Sequence, residues 1–269
     1  MEKLQILNQF WERLSHSEHA ALLLDYDGTL APFREERDKA VPYPGVRELL
    51  TTISRETATR LVIISGRAID DLLPLLGLDP PPEVWGCHGW EQLREDGYRP
   101  ALRLPVTAKE GLQKAASWVS DHDLDKYCEQ KPVSLAIHWR GLADKVREKL
   151  RHQVNTGWNP LAKAYNLELH PFDGGLELRC PGRDKGTAIR EIKGEFAPHT
   201  VVAFLGDDLT DEDAFAEMEE VGLGILVRDI ARSTRAHLRI SPPEELLEFL
   251  HNWRMHAPVS RKGGSCKNV

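Results

Sequence analysis

The chain has 269 residues, with 35 Lys and Arg against 42 Asp and Glu, for a formal net charge of −7. Hydrophobic residues make up 41% and charged residues 29%, the balance of a soluble globular protein with material for one large core or two modest ones. The negative balance argues against non-specific nucleic-acid binding, and no apolar run reaches the roughly 18 residues a membrane helix needs.

The first element in chain order is an amphipathic helix over 4–16, too charged to read as a secretory signal. "ALLLDYD" (21–27) is a near-continuous apolar run ending in acid, as in a parallel strand buried on both faces. A helix over 42–56, an apolar strand over 59–67, a short helix over 68–78 and a third strand over 83–89 follow. That alternation predicts a doubly wound parallel sheet.

The rhythm changes after residue 91. An Asp-Gly turn in "QLREDGYRPALRL" predicts a hairpin. A helix over 107–120, a β-like run over 131–140, a helix over about 142–157 and alternating strands over 165–172 and 175–181 complete a small α+β module. The α/β rhythm then returns: helix 186–196, strand 200–208, helix 210–221, strand 222–229, helix 242–256. The expected organisation is a Rossmann-like α/β core in two parts, 1–99 and 183–256, interrupted by an inserted module over 100–182. Residues 257–269 lack periodicity and read as a disordered tail. Cys87, Cys128, Cys180 and Cys266 match no zinc spacing and read as reduced thiols of a cytoplasmic protein.

In such a sheet, ligands bind outside the carboxyl ends of the strands. Just past the predicted strands stand Asp25 and Asp27, then Ser65-Gly66-Arg67, then His88 and Glu91, then Asp207 and Asp208. Several carboxylates in one place repel one another unless a cation holds them, and hard oxygen ligands suit Mg²⁺. A metal with a hydroxyl, a guanidinium and backbone N–H groups suits a phosphate. One aspartate can then act as nucleophile, and a second, two residues on, can protonate the leaving oxygen. Each piece also has a plainer reading. Asp-x-Asp-Gly can be a turn, Ser-Gly-Arg likewise, Gly-Asp-Asp a strand-to-helix turn, and Lys185 a surface lysine before a helix. What favours chemistry is that all four fall at predicted element ends.

Asp25-Tyr26-Asp27-Gly28-Thr29-Leu30, Ser65-Gly66-Arg67, Lys185-Gly186 and Gly206-Asp207-Asp208-Leu209-Thr210-Asp211-Glu212-Asp213 resemble the four motifs of the haloacid-dehalogenase-like phosphatases. With "GCHGWE", "HWR" and "GLELRCPGRDKGTA", the chain more closely resembles the trehalose-6-phosphate phosphatase family, over about residues 18 to 250. The resemblance implies that Asp25 is the nucleophile, Asp27 the general acid/base, and that Ser65 and Lys185 hold phosphoryl oxygens, with Gly66 and Arg67 beside them. It implies Mg²⁺ on Asp25, the Asp27 carbonyl and Asp207, with Asp208 and Asp211 in support. The module inserted between Glu91 and Lys185 would be a cap for a sugar phosphate. His88, Glu91, Lys131, Ser134, His138, Arg140, Glu177 and Arg183 would be its substrate contacts. The implied reaction is Mg²⁺-dependent hydrolysis of trehalose 6-phosphate by a monomer. Another glycosyl phosphate, such as glucosylglycerol phosphate, is the nearest alternative substrate, and an inactive sugar-phosphate-binding regulator is the alternative of a different class. Cys180, within "ELRCPG", departs from the family's pattern.

Overall fold

The computed structural model describes residues 2–34, 36–172, 174–219 and 222–260. The run "AALLL" forms β1 (Ala20–Leu24), with all five residues buried. A strand alternates its side chains, so an unbroken apolar run needs cover on both faces. Leu22 and Leu24 enter one hydrophobic cluster, and Ala21 and Leu23 enter another on the opposite face. β1 follows α1 (Glu2–Ser15) and precedes α2 (Val46–Glu56), β2 (Thr59–Ile64), α3 (Ile69–Leu76), β3 (Glu83–Gly86) and β4 (Glu91–Leu93). The middle of the chain forms α4 (Val106–Asp121), β5 (Cys128–Gln130), β6 (Ser134–His138), α5 (Asp144–Tyr165), β7 (Glu168–Phe172) and β8 (Gly175–Arg179). α6 (Lys185–Gly194), β9 (Val201–Gly206), α7 (Glu212–Met218), β10 (Gly222–Val227), β11 (Leu238–Ile240) and α8 (Glu244–His256) complete it.

The first sheet has the order β11-β10-β9-β1-β2-β3-β4 and is parallel except for β4. Phe10 and Leu14 of α1, Val46, Leu50 and Ile53 of α2, Leu72 of α3 and Leu250 of α8 cover one face. Ile189 and Ile192 of α6 and Phe215 and Met218 of α7 cover the other. The chain runs from β1 outward to β2 and β3, and later returns to place β9 on β1's other side. β1 and β9 therefore flank the point where strand order reverses, which is where doubly wound sheets bind ligands.

The second sheet is antiparallel, in the order β5-β6-β8-β7. Leu135 and Ile137 of β6 and Leu176 and Leu178 of β8 pack under Leu112, Val119, Leu150, Val154 and Trp158 of the two helices. The intervening Ser134, His138 and Glu177 belong to the other face. This α+β module, the cap, is inserted into the doubly wound core between β4 and α6. No helix among the described residues is long and apolar enough to cross a membrane.

The structure differs from the sequence expectation in several places. Asp96-Gly97 does turn, with Gly97 N–H donating to Arg94 O at 2.9 Å, but no strand follows it. Pro100 and Pro105 withhold donors from the stretch a second strand would need. The antiparallel partner of β3 is instead β4, with Gly86 opposite Glu91. α5 runs on to Tyr165, through Gly157 and Pro160. Gly157 is no breaker here: a Cβ on it would lie 2.1 Å from the Trp118 ring, so the glycine admits a close crossing of α4. Finally, the expected tail begins as structure. Ala58 N–H donates to Pro258 O at 2.6 Å and Ser260 N–H to Glu56 O at 3.0 Å. The remainder of the expected tail, 261–269, lies outside the described residues.

Candidate active site

Parallel register fixes the first contact. Leu24 pairs with Leu205, and the Asp25 amide donates to Leu205 O at 2.8 Å, so the residues after β1 and β9 emerge side by side. Asp25 and Asp207 are 4% and 2% exposed. With Asp211 they bring one carboxylate oxygen each within 4.8 Å of one another. The loop over them is built for proximity. Gly28 has φ +81°, and a Cβ there would fall 2.3 Å from Asp207 Oδ2.

Lys185 joins this group from the first turn of α6. Asp184 caps that helix, accepting from Thr187 N at 2.6 Å, which sets the lysine's direction. Its Nζ donates to Asp25 Oδ1 at 2.6 Å and to Asp211 Oδ1 at 2.7 Å. Burial works against the ammonium, but Asp211 and Asp25 hold its pKa well above the ordinary lysine value. The other Asp211 oxygen accepts the Asp207 and Asp208 amides at 2.9 and 3.0 Å, so Asp211 shapes the turn. Asp208 turns its Oδ1 to the Leu209 amide at 2.7 Å.

Burial, only partly offset by Lys185 and reinforced by the Asp211 carboxylate, pushes the Asp25 pKa up to about 7. Burial and the neighbouring Asp25 carboxylate raise Asp207 well above its ordinary value. Asp207 Oδ1 is buried with no hydrogen-bond partner. An orphaned carboxylate oxygen facing other carboxylates is an arrangement that a hard divalent cation satisfies, so the residues fit a divalent-cation site.

From β2, the Ser65 hydroxyl accepts the Arg67 amide at 3.1 Å. The Arg67 guanidinium grips Asp27 through two bonds, at 2.7 and 2.6 Å. The two residues expected to serve as acid/base and phosphate ligand are thus joined in a bidentate pair.

The polar face of the cap lies opposite. Glu177 Oε1 accepts Ser134 Oγ at 2.6 Å and Lys131 Nζ at 3.0 Å, and its Oε2 is 3.0 Å from His88 Nε2. Burial opposes the Glu177 charge, but Lys131 and the bonds from His88 and Ser134 hold its pKa well below the usual carboxylate range. Glu129 of β5 meets Lys131 at 3.6 Å, His138 at 3.1 Å, and Arg37 from the core. Lys131, His138 and Arg37 together carry its pKa down to about 2 against the opposing effect of burial. The Arg140 guanidinium lies 4.0 Å from the Phe33 ring centre, a third cap-to-core contact.

Between core and cap is a cavity of 330 Å³. Of the sequence-predicted residues, Asp25, Asp27, Gly66, Arg67, His88, Lys131, His138, Arg140, Glu177, Lys185, Asp207 and Asp208 line it. Ser65, Ser134 and Asp211 stand behind the lining and bond to it. Glu91 and Arg183 are elsewhere. Glu91 accepts the Ile69 amide at 2.9 Å at the start of α3, and Arg183 binds Gly89 O at 2.8 Å and Glu191. Trp85, Trp90 and Trp139 pack with the hydrophobic clusters rather than line the cavity. Glu129, Arg37, Phe33 and Phe172 line it without having been predicted. For Glu129 the signal was its place two residues before Lys131, hence on the same face of an extended chain. For Phe33 and Arg37 it was the aromatic and basic character of the loop after Gly28.

A family model described as trehalose-phosphatase matches residues 23–240. An uncharacterized glycosyl hydrolase of Mycobacterium tuberculosis is 30% identical over 264 residues, which cover 93% of this chain and 19% of the relative. A trehalose-phosphate phosphatase of Mycobacterium ulcerans is 29% identical over 245 residues, covering 85% of this chain and 60% of the relative. The chain thus spans a minor part of the first of these relatives and somewhat over half of the second. In fold, it resembles the C-terminal domain of C. albicans trehalose-6-phosphate phosphatase, with TM-score 0.79 and 21% identity over 92% of this chain and 96% of that one.

Proposed function

The chain belongs to the trehalose-phosphatase family, and from that premise we propose that it hydrolyses trehalose 6-phosphate to trehalose and phosphate. The observation that carries the reading is Lys185, held between Asp25 and Asp211 on the core side of a cavity whose opposite wall is hydrogen-bonding cap. A volume of 330 Å³ is within the range of small-ligand sites. Glu129, Lys131, His138 and Glu177 offer donors and acceptors suited to sugar hydroxyls.

Asp25 attacks the phosphorus, forming an aspartyl-phosphate as the bond to the sugar oxygen breaks. Lys185 steers the nucleophile and, with Ser65, offsets charge on the phosphoryl oxygens. Asp27 delivers a proton to the departing sugar oxygen and later takes one from the water that cleaves the intermediate. A carboxylate gripped by a guanidinium can only accept, so Asp27 acts as the acid once the substrate phosphate draws Arg67 to itself and Asp27 takes up a proton from solvent. Asp25, Asp207 and the Asp27 carbonyl would hold Mg²⁺, with Asp208 and Asp211 supporting that turn. When bound, the ion supplies neutralisation of the clustered carboxylates and of the phosphate. The protein is read as a cytoplasmic monomer, its cap comprising residues 100–182.

Phosphate release is to be measured on trehalose 6-phosphate, glucosylglycerol phosphate and glucose 6-phosphate, with Mg²⁺ and with chelator. Trehalose 6-phosphate should be the best substrate, and both chelator and Asp25→Asn should abolish release. Equal rates on glucose 6-phosphate would remove the disaccharide assignment, and turnover by Asp25→Asn would remove the nucleophile.

A further inference from the structure

His88 is buried, 6% exposed, at the wall of the cavity. It sits in an unusual stretch of backbone: Cys87, His88 and Gly89 have φ of 48°, 57° and 97°. Left-handed conformations at non-glycine residues cost free energy and persist where the surroundings enforce them, often beside functional sites. Here the enforcement is visible. The Cys87 amide donates to Arg67 O at 2.7 Å and the His88 amide to Ser65 O at 2.9 Å. The turn is thus tied to both ends of Ser65-Gly66-Arg67. The imidazole lies over that segment so closely that a Cβ on Gly66 would be 2.7 Å from the ring. From beneath, Glu91 Oε2 holds both the Ile69 amide, at 2.9 Å, and Cys87 Sγ, at 3.4 Å.

The other end of the same residue reaches the cap. His88 Nε2 is 3.0 Å from Glu177 Oε2, across a separation of 89 residues. Glu177 is ionised and an ionised carboxylate only accepts, so Nε2 carries the proton and His88 is the donor. Ser134 and Lys131 supply the other two donors to Glu177. Both of these come from the cap, so of these three donors only His88 refers the carboxylate to the core.

We infer that His88 is a positioning residue: its main chain is fastened to the phosphate-binding loop and its imidazole to Glu177, so that one residue sets the distance between the phosphate and sugar ends of the site. The inference rests on the phosphatase reading and deepens it. A ligand that spans both ends feels this distance. A ligand that occupies only the phosphate end does not.

The test uses the whole chain and two phosphate esters, trehalose 6-phosphate and p-nitrophenyl phosphate, together with calorimetric Kd values for trehalose 6-phosphate. His88→Ala should raise KM and Kd for trehalose 6-phosphate about tenfold, a clearly larger loss than it causes in kcat/KM on p-nitrophenyl phosphate. His88→Gln, which restores an N–H at similar reach, should recover most of the loss. Added to Glu177→Gln, His88→Ala should cost less than about twofold more, because the partner it positions is already impaired. Equal losses on both esters, multiplied losses in the double variant, or an unchanged Kd would overturn the inference. If the unaltered chain releases phosphate from neither ester, the phosphatase reading fails, while the Kd series still judges the joint. A chain that does not bind trehalose 6-phosphate at all overturns both.

Discussion

Lys185→Met removes the one ammonium among three buried carboxylates while keeping most of the side chain's volume. Lys185, Asp25 and Asp211 side chains are 3%, 5% and 0% exposed, and the contacts are 2.6 and 2.7 Å, so solvent does little to screen the change. Breaking a buried pair from one side leaves an uncompensated charge, which costs about 3–5 kcal/mol. For a chain of this size that corresponds to a fall in Tm of about 10 °C. The loss must also depend on pH. Asp25 already titrates near 7 because burial outweighs Lys185, and without the lysine its value rises further. A carboxyl whose folded pKa is raised contributes stability at low pH and loses it as pH rises through that value. The deficit against the unaltered chain should therefore be largest near pH 8 and shrink towards pH 5. Thermal melts in chelator at both pH values measure it directly, and added Mg²⁺ should raise the variant's Tm more than the parent's. A deficit of the same size at pH 5 and pH 8 would refute the claim that Lys185 serves to balance these carboxylates.

Gly28→Ala should lower turnover by about a hundredfold, since its Cβ meets Asp207 Oδ2 at 2.3 Å; a steady-state assay showing a near-normal rate would mean the loop yields freely. Burial lowers the His88 pKa to about 4, so folding stability contributed by its neutral ring is present above pH 6.5 and is lost as pH falls towards 4, on the order of 3 kcal/mol. Denaturant melts of His88→Gln across that window should show a shallower acid loss than the parent. Glu129→Gln should raise KM for the sugar phosphate several-fold with little change in kcat, because Glu129 lies on the cap wall and not beside Asp25; a fall in kcat alone would contradict that placement.

The central strands were legible because burial on two faces forces unbroken apolar runs, as in "AALLL" and "VVAFL". Their acidic ends then located Asp25 and Asp207 without knowledge of strand order. β5 and β11 were not foreseen, and β4 only as the first arm of a hairpin: each has three residues, too few for a period, and exists through its neighbour's hydrogen bonds. α5 runs past its expected end at 157, where Gly157 serves packing against Trp118. Glu91 looked like a ligand because it follows a strand end. The antiparallel return of β4 carries it under α3 instead, a consequence of pairing that no local pattern reveals. Arg67 and Asp27 were each singled out, but their mutual grip depends on two neighbouring strands ending at the same height.

The position of β1 has a consequence for how the chain is made. Its parallel partners are β2, beginning at residue 59, and β9, beginning at residue 201. As the polypeptide leaves the ribosome, one edge of its most apolar strand stays unpaired until more than 170 further residues have been synthesised. The cap, whose strands all fall between Cys128 and Arg179, is completed within that interval. An open apolar edge invites pairing with other chains, and contacts of such long range form slowly. Substitutions that slow β9 would thus be felt first as lower yield and misassembly during synthesis, before any change in the finished molecule's melting temperature.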